Sequence, residues 1–291
     1  MIEPVLDTRA KLGECPVWSR RDDALYWVDI DSCLIHRYLP TTGVDDIRSM
    51  AGRPGAIALT SDADRLLVAS EHDLFDFTWS TGEATRRLSL EPKDSPTRMN
   101  DGRCDPVGRF LVGSMDDPSA GGQRSAMLHS VDSAGSSNVL ETGVGVSNGL
   151  AFSPDGAVMY WADSSRELVW SYDYDLDTGR RTNGRVFVDF AGLPGKPDGA
   201  CVDESGCYWV ACVYGWALIR VTPAGKVDRQ IDLPVEKPSM PAFGGPGLDT
   251  LFLTTISTGG SRPAAPGQPL AGALLALSVG VCGLDEPLFA G

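Results

Sequence analysis

A short aromatic or branched segment, preceded by a turn rich in Asp, Pro or Gly, recurs six times along this chain of 291 residues. With one residue taken as the marker of each segment, the gaps between successive markers are 40, 44, 50, 48 and 44 residues. The markers are Trp27, Leu67, Leu111, Trp161, Trp209 and Leu253. A repeat of about 40–50 residues that holds four strands is the pattern of a propeller blade.

A second strand pattern follows each marker and supports the same architecture. Residues 34–38 alternate before Gly43, and residues 169–172 alternate before Gly179. Alternation of period two, bounded by Gly, Pro and Asp, indicates strands, and no stretch has a convincing helical period. We therefore predict an all-β fold, a six-bladed β-propeller with four antiparallel strands per blade, as one domain over residues 1–291. A β-sandwich is the alternative, but it does not require the same turn chemistry six times.

The charge and the cysteines narrow the class of partner. Thirty-nine acidic against 25 basic side chains give a net charge of −14, which disfavours nucleic acid or an anionic membrane surface as a partner. The seven cysteines include no C-x-x-C pair, so they indicate reduced thiols rather than a disulfide framework or a zinc site. The residues after Met1 do not resemble a signal peptide. We expect a cytoplasmic monomer that acts on a small molecule.

Four polar residues stand at corresponding places in four of the repeats. Glu14 and Asn148 precede their markers by 13 residues, and Asn100 and Asp198 precede theirs by 11. The innermost strands of a propeller all run in the same direction along its axis, so these residues should meet at one mouth of the central channel. Two carboxylates and two amides there favour a hard or borderline divalent cation. The alternative is that Asn-Gly and Asp-Gly are ordinary turn dipeptides.

Five motifs in this order carry a resemblance to a known family over essentially the whole chain. They are Gly-Glu-Cys-Pro-Val-Trp at 13–18, Arg-Met-Asn-Asp-Gly at 98–102, Asp-Pro-Val-Gly-Arg at 105–109, Ser-Asn-Gly-Leu at 147–150, and Pro-Asp-Gly at 197–199 followed by Trp-Val-Ala at 209–211. With them the sequence resembles the senescence-marker-protein-30, gluconolactonase and regucalcin-like family. The resemblance implies a six-bladed propeller that opens aldonolactones to aldonic acids in sugar catabolism, using one divalent metal ion on its axis.

The resemblance also implies roles for particular residues. It places the metal on Glu14, Asn148 and Asp198, makes Asp198 the catalytic acid/base, and assigns substrate contacts to Arg98 and Asn100. The ion itself stays open among calcium, zinc, magnesium, manganese and ferrous iron. Some members carry a substrate-binding glutamate in the loop after the third marker, where this chain has Asp-Asp-Pro at 116–118. The sugar therefore stays open between pentonolactones and hexonolactones.

Three other functions fit part of the same pattern. The ligand set would equally serve a non-catalytic calcium-binding regulatory protein, although Arg98 and Asn100 would have no task in it. A metal-assisted phosphoesterase and a pure interaction scaffold are also compatible with a propeller. A serine hydrolase is disfavoured, because the Gly-x-Ser-x-Gly match at 145–149 is followed by a strand pattern and all three histidines precede it.

Overall fold

The computed structural model describes residues 2–121, 123–260 and 262–291, which form six four-stranded antiparallel sheets. The first three sheets contain β2 (Gly13–Ser19), β3 (Ala24–Asp29), β4 (Leu34–Leu39) and β5 (Val44–Ser49); β6 (Pro54–Leu59), β7 (Arg65–Ser70), β8 (Asp73–Thr78) and β9 (Glu83–Ser89); and β10 (Thr97–Cys104), β11 (Phe110–Asp116), β12 (Ala126–Val131) and β13 (Ser137–Val144). The others contain β14 (Ser147–Phe152), β15 (Val158–Asp163), β16 (Leu168–Asp175) and β17 (Arg180–Asp189); β18 (Lys196–Val202), β19 (Tyr208–Val213), β20 (Ala217–Val221) and β21 (Val227–Asp232); and β22 (Pro238–Gly244), β23 (Thr250–Thr255), β24 (Leu274–Ser278) and β1 (Ile2–Leu6). The predicted six-bladed propeller is confirmed.

Helix is almost absent from the part of the chain that is described. A single 3-10 turn, Ile30–Ser32, was found there, and no helix has the length and apolarity that a membrane span requires. All seven cysteines lie among the described residues and are free thiols.

Burial falls from the axis to the rim of each blade, and the sequence explains why. The two inner strands are near-continuous apolar runs, and β2 and β3 are buried along their whole length. Such runs are typical of strands covered on both faces. The outer strands are polar, as in β9 and β21. The blades therefore pack face to face through large side chains, among which Trp27, Trp161 and Trp209 are at most 1% exposed.

The ring closes through strand β1, which the repeat pattern did not predict. β1 pairs antiparallel with β24, from Ile2 opposite Leu277 onwards, and so becomes the outermost strand of the sixth blade. The C-terminal segment crosses the face opposite the predicted site, where the Phe289 N–H donates to the Leu59 carbonyl at 2.8 Å. Both ends of the chain thus tie distant blades together, which adds long-range contacts to a fold built of local hairpins.

Every inner strand is bulged where it enters the channel. The interruptions of register lie between Glu14 and Val17, Pro54 and Ala56, Met99 and Gly102, Asn148 and Ala151, Pro197 and Ala200, and Pro238 and Pro241. A bulge re-aims side chains and leaves ladder groups unpaired, which also makes proline tolerable there. The six bulges turn the residues beside them toward one mouth of the channel.

Candidate active site

The structure brings all five predicted site residues to one cavity at the channel mouth. Glu14, Arg98, Asn100, Asn148 and Asp198 line a cavity of about 270 Å³. They come from four different blades, and each is at most 9% exposed. The predicted convergence of the strand starts is therefore correct, while the role of each residue stays a prediction.

One glycine explains the Asn-Gly dipeptide of the fourth blade. Gly149 has a φ of +62°, and a Cβ added to it would lie 2.4 Å from the Tyr208 hydroxyl oxygen. That hydroxyl donates to the Gly149 carbonyl at 2.8 Å. Only glycine fits this backbone conformation and this contact, so the bulge that aims Asn148 depends on it.

A chain of hydrogen bonds fixes the amide side chains across three blades. The Arg98 Nη1 donates to Asn100 Oδ1 at 2.9 Å, and the Asn100 Nδ2 donates to Asn148 Oδ1 at 3.1 Å. The Asn148 Nδ2 donates to Ser164 Oγ at 2.8 Å, and that hydroxyl donates to the Pro197 carbonyl at 2.6 Å. Since the Asn148 Nδ2 is held by Ser164, its Oδ1 has a fixed orientation, and the remaining lone pair is available for a ligand.

The two carboxylates of the cavity are electrostatically costly. Burial raises the pKa of Glu14 well above its ordinary value, and the Asp198 and Asp101 carboxylates raise it further. Burial likewise raises the pKa of Asp198, with Asp101 as the next cause. Among the residues the structure describes, neither carboxylate forms an ion pair, and Arg98 is the cation that partly offsets both. Two buried like charges need a cation or protons between them.

Arg98 is buried and is not paired with a carboxylate among the described residues. Its Nη1 donates to the Met99 carbonyl and to Asn100 Oδ1, both at 2.9 Å. Burial lowers its pKa, and the nearby Arg53 guanidinium lowers it further. It is not a rim ion pair, which leaves the rest of its guanidinium free to donate to a bound molecule.

The donor set fits a divalent metal ion held by oxygen. Glu14 and Asp198 supply negative charge and Asn148 supplies an amide oxygen, which are the ligand types that calcium and similar ions take. Within the described residues there is no group of three or more His, Cys, Asp or Glu side chains that could hold a metal. The predicted ligand set of two carboxylates and one amide is not a group of that kind.

A wider vestibule of about 690 Å³ adjoins the cavity and shares Arg98 and Met115 with it. Its wall contains Asp116 and Asp117, from the loop in which the resemblance implies a substrate-binding glutamate for some members. Asp116 accepts two backbone N–H groups, from Arg124 at 2.6 Å and from Ser125 at 2.8 Å. The carboxylate of Asp116 is therefore engaged in holding its own loop.

The second acidic residue of that loop is engaged as well. Asp117 accepts from the Ser119 hydroxyl and N–H, and from Arg53 Nη2 at 2.9 Å. The Ser119 hydrogen bond and the Arg53 guanidinium lower the pKa of Asp117 to about 2. Arg53 is also paired with Glu71 at 2.9 Å. Neither Asp116 nor Asp117 presents a free carboxylate like a substrate-binding glutamate.

The sequence argument missed several residues around the site. Ser164 anchors Asn148, and Arg53 and Arg124 line the vestibule. Asp101 is buried and raises the pKa of Glu14 and Asp198; burial raises its own pKa to about 6, and its Oδ1 has no hydrogen-bond partner among the described residues. Arg53 was detectable, because Arg-Pro at 53–54 matches Lys-Pro at 196–197 and at 237–238 when the repeats are aligned. Ser164 and Arg124 lie in turns that carry no such pattern.

The second blade contributes no polar ligand, and its backbone shows why. At the place of Asn100 it has Gly55, where an added Cβ would lie 2.3 Å from the Met99 carbonyl oxygen. The third blade packs too closely there for any side chain. The ring of polar side chains is therefore asymmetric, because the backbone of the third blade fills the place that a side chain of the second blade would need.

The fold and the cavity define a class: a six-bladed propeller with an oxygen-donor centre at one mouth of its axis. The chain belongs to the SMP-30/gluconolactonase/LRE-like family, whose family model matches residues 12–257. This confirms the resemblance inferred from the five motifs.

Named relatives match nearly the full chain. It is 38% identical to a 6-deoxy-6-sulfogluconolactonase of Pseudomonas putida, over 96% of this chain and 95% of that one. It is 36% identical to a pentonolactonase of Haloferax volcanii, over 97% and 96%. Among solved structures, a regucalcin of Agrobacterium tumefaciens described as a calcium-binding protein superposes with a TM-score of 0.91 at 27% identity, covering 98% of this chain and 96% of that one.

Proposed function

We propose that this protein is a sugar lactonase that hydrolyses an aldonolactone to its aldonic acid with the help of one divalent metal ion. Family membership and the two lactonase relatives support the reaction class. The observation that carries the proposal is the pair of buried carboxylates, Glu14 and Asp198, beside the free face of Arg98 in one small cavity. A cation balances the carboxylates, and a polar substrate satisfies the guanidinium.

Glu14, Asn148 and Asp198 would hold the metal ion, and Asn100 and Arg98 would contact the substrate. When bound, such an ion polarises the lactone carbonyl and stabilises the negative charge that develops on its oxygen. The orientation of Asn148 is maintained by Ser164, and that of Asn100 by Arg98. The residues of the cavity are thus held in place before any substrate binds, which reduces the cost of ordering them.

In the reaction a water oxygen attacks the carbonyl carbon and the bond between that carbon and the ring oxygen breaks. Asp198 accepts a proton from the attacking water and returns one to the departing ring oxygen. The product is the open-chain aldonic acid, which releases a proton at neutral pH. Arg98 hydrogen-bonds the sugar hydroxyls through the part of its guanidinium that faces the cavity.

The oxygen donors indicate a divalent cation but do not select one ion. Oxygen ligands suit calcium, magnesium and manganese, and zinc and ferrous iron are also compatible with them. Metal-stripped protein supplied with each ion in turn, and assayed for acid release on a panel of pentonolactones and hexonolactones, tests the proposal. We expect hydrolysis of at least one lactone that depends on the added ion. Folded protein that binds the ion and hydrolyses no lactone would overturn the proposal.

A second candidate is a calcium-binding regulatory protein without turnover, which the similarity to the solved regucalcin supports. The same ligands would serve it, so calcium binding measured by calorimetry does not separate the two. Lactone hydrolysis does separate them, because a regulator has no turnover. The buried Arg98, with donors left for a bound molecule, favours the enzyme. Cytoplasmic location, the monomeric state and a single domain remain predictions of the sequence, and phosphoesterase activity remains an alternative to the lactonase.

A further inference from the structure

One buried carboxylate pairs with two arginines, of which one lines the vestibule. Asp163 is fully buried, and its Oδ2 lies 2.8 Å from Arg124 Nη2 and 3.5 Å from Arg166 Nε. Both guanidinium groups also donate to the Gly143 carbonyl, at 3.2 Å and 3.1 Å. One carboxylate therefore faces two cations, and the cluster has a net charge of +1.

The charge of Asp163 is shared further with uncharged donors. Its Oδ1 accepts from the Val146 N–H at 3.1 Å and from the Ser165 hydroxyl at 2.7 Å, and its Oδ2 accepts from the Gly145 N–H at 3.2 Å. Hydrogen bonds from backbone and hydroxyl groups stabilise the carboxylate without a cation. The positive charge of Arg124 and Arg166 is thus only partly offset by Asp163.

Only one of these two arginines faces the proposed substrate. Arg124 lines the vestibule, which Arg98 also lines, whereas Arg166 lines neither the vestibule nor the cavity. Arg124 has a φ of +59°, a conformation that is uncommon outside glycine. Asp116 supports it by accepting the Arg124 N–H at 2.6 Å. Strained backbone held by its surroundings is found preferentially at functional sites.

Apart from Asp31, the remaining charged groups of the vestibule are paired with an opposite charge or accept hydrogen bonds. Arg53 is offset by Glu71 and Asp117, and Asp116 accepts two backbone N–H groups. Asp31 is the acidic residue of the wall that faces these cations, and it is a source of attraction for Arg98. The groups with unmet donor capacity in the vestibule are therefore Arg98, at the boundary with the cavity, and Arg124, farther out.

We propose that Arg124, together with Arg98, binds an anionic group carried by the exocyclic carbon of the lactone, so that the preferred substrates are sulfonated or phosphorylated aldonolactones. The inference rests on the proposed lactonase function and specifies its substrate class. The lactone ring occupies the small cavity, and the tetrahedral oxyanion group extends into the vestibule. Guanidinium groups suit sulfonate and phosphate, because their planar donors match pairs of oxygens.

The test compares three lactones: gluconolactone, its 6-phosphate, and 6-deoxy-6-sulfogluconolactone. We expect the wild-type protein to have a higher kcat/KM for an anionic lactone than for gluconolactone. Arg124→Gln should lower the ratio of anionic to neutral kcat/KM about tenfold or more, mainly through KM, since one charge-assisted hydrogen bond is lost. Comparison of kcat/KM for the 6-phosphate and the 6-sulfonate shows whether the site distinguishes phosphate from sulfonate.

Arg166→Gln is the matched control. The two side chains are similarly exposed, at 43% and 40%, and share Asp163 and the Gly143 carbonyl. A purely structural loss at Asp163 would affect both variants alike, whereas a substrate contact affects Arg124→Gln only. Equal ratios in the two variants, or a wild-type preference for gluconolactone, would overturn the inference.

A binding measurement separates failure of the inference from failure of the proposed function. The open-chain products, gluconate, 6-phosphogluconate and 6-deoxy-6-sulfogluconate, can be titrated into the wild type and both variants by calorimetry. If no lactone is hydrolysed, the lactonase proposal fails. Tighter binding of 6-phosphogluconate or 6-deoxy-6-sulfogluconate than of gluconate, lost in Arg124→Gln, would still support the anion site, and equal binding of all three products would overturn it.

Discussion

The innermost strands of the fifth and sixth blades start within nearly the same three residues, but the side chains have different roles in the two blades. Residues 196–198 read Lys-Pro-Asp and residues 237–239 read Lys-Pro-Ser, at equivalent places in the two bulges. Asp198 lines the cavity as a buried carboxylate. Ser239 instead donates to the Gly13 carbonyl of the first blade and contacts the Thr254 hydroxyl at 2.9 Å.

The two lysines differ in the same way. Lys237 is completely buried, and its Nζ donates to the Gly259 carbonyl at 2.8 Å and to the Arg262 carbonyl at 2.7 Å. Lys196 is 43% exposed and pairs with Glu167 at 3.1 Å. Burial lowers the pKa of Lys237, as expected for an ammonium group taken out of water.

This comparison separates what the repeat provides from what the individual residue provides. The repeat provides the bulge, the proline and the aim toward the channel. The third residue then decides the role of the blade. Asp198 makes the fifth blade part of the site, whereas Ser239 links the sixth blade to the first by a hydrogen bond.

Replacement of Asp198 by Asn should lower kcat by about a hundredfold to ten-thousandfold, the usual range for loss of a general base. The variant also loses a negative ligand, so the metal affinity must be measured in parallel by calorimetry. The matched change in the sixth blade, Ser239→Ala, should leave kcat within about threefold and cost about 1 kcal/mol of stability. Wild-type turnover by Asp198→Asn with metal bound would remove Asp198 from the mechanism.

Replacement of Lys237 by Met should destabilise the protein by about 2–3 kcal/mol, because two carbonyls lose their charged donor. Those carbonyls belong to Gly259 and Arg262, so the segment beside the cavity should loosen as well. Urea unfolding gives the free energy of unfolding, and hydrogen exchange at residues 256–260 reports the local effect. Unchanged stability and exchange would show that the buried ammonium is not the anchor of this segment.

Metal-stripped Asp198→Asn should be more stable than the metal-stripped wild type at pH 7, by roughly 1 kcal/mol or more. The folded-state pKa of Asp198 is raised by burial and by Asp101, so the unfolded chain ionises first as the pH rises. Wild-type stability then falls as pH increases through the ordinary Asp value of 3.8, and the fall continues up to the raised value. Below pH 3.8 the stability gain of the variant should disappear.

The experiment is a series of thermal melts between pH 3 and pH 8 in the presence of chelator. Glu14→Gln should behave in the same direction, since burial and the Asp198 charge raise the pKa of Glu14. A wild type that is more stable than both variants at pH 7 without metal would contradict the argument that the carboxylates need a cation.

The sequence was sufficient to predict the six blades and the meeting of Glu14, Asn100, Asn148 and Asp198 at one mouth of the channel, because both depend on residues that recur at similar spacing. It did not predict β1 as the closing strand, since the partner of Ile2 is Leu277, at the other end of the chain. It also did not predict that Asp116 would accept the backbone N–H of Arg124, or that Asp117 would accept from the Arg53 guanidinium. The first contact depends on how a single loop folds back on itself, and the second on how two neighbouring blades meet, and no local pattern records either.

Replacement of Lys196 by Met should change the free energy of unfolding by less than about 1 kcal/mol, because exposed ion pairs contribute little. The pair with Glu167 is nearly half exposed on both sides, and salt should weaken it further. Urea unfolding at low and high salt, run beside Lys237→Met, measures the contrast between the two blades. A loss as large as that of Lys237→Met would mean that the fifth blade also uses its lysine as a joint, and that the carboxylate alone distinguishes the two blades.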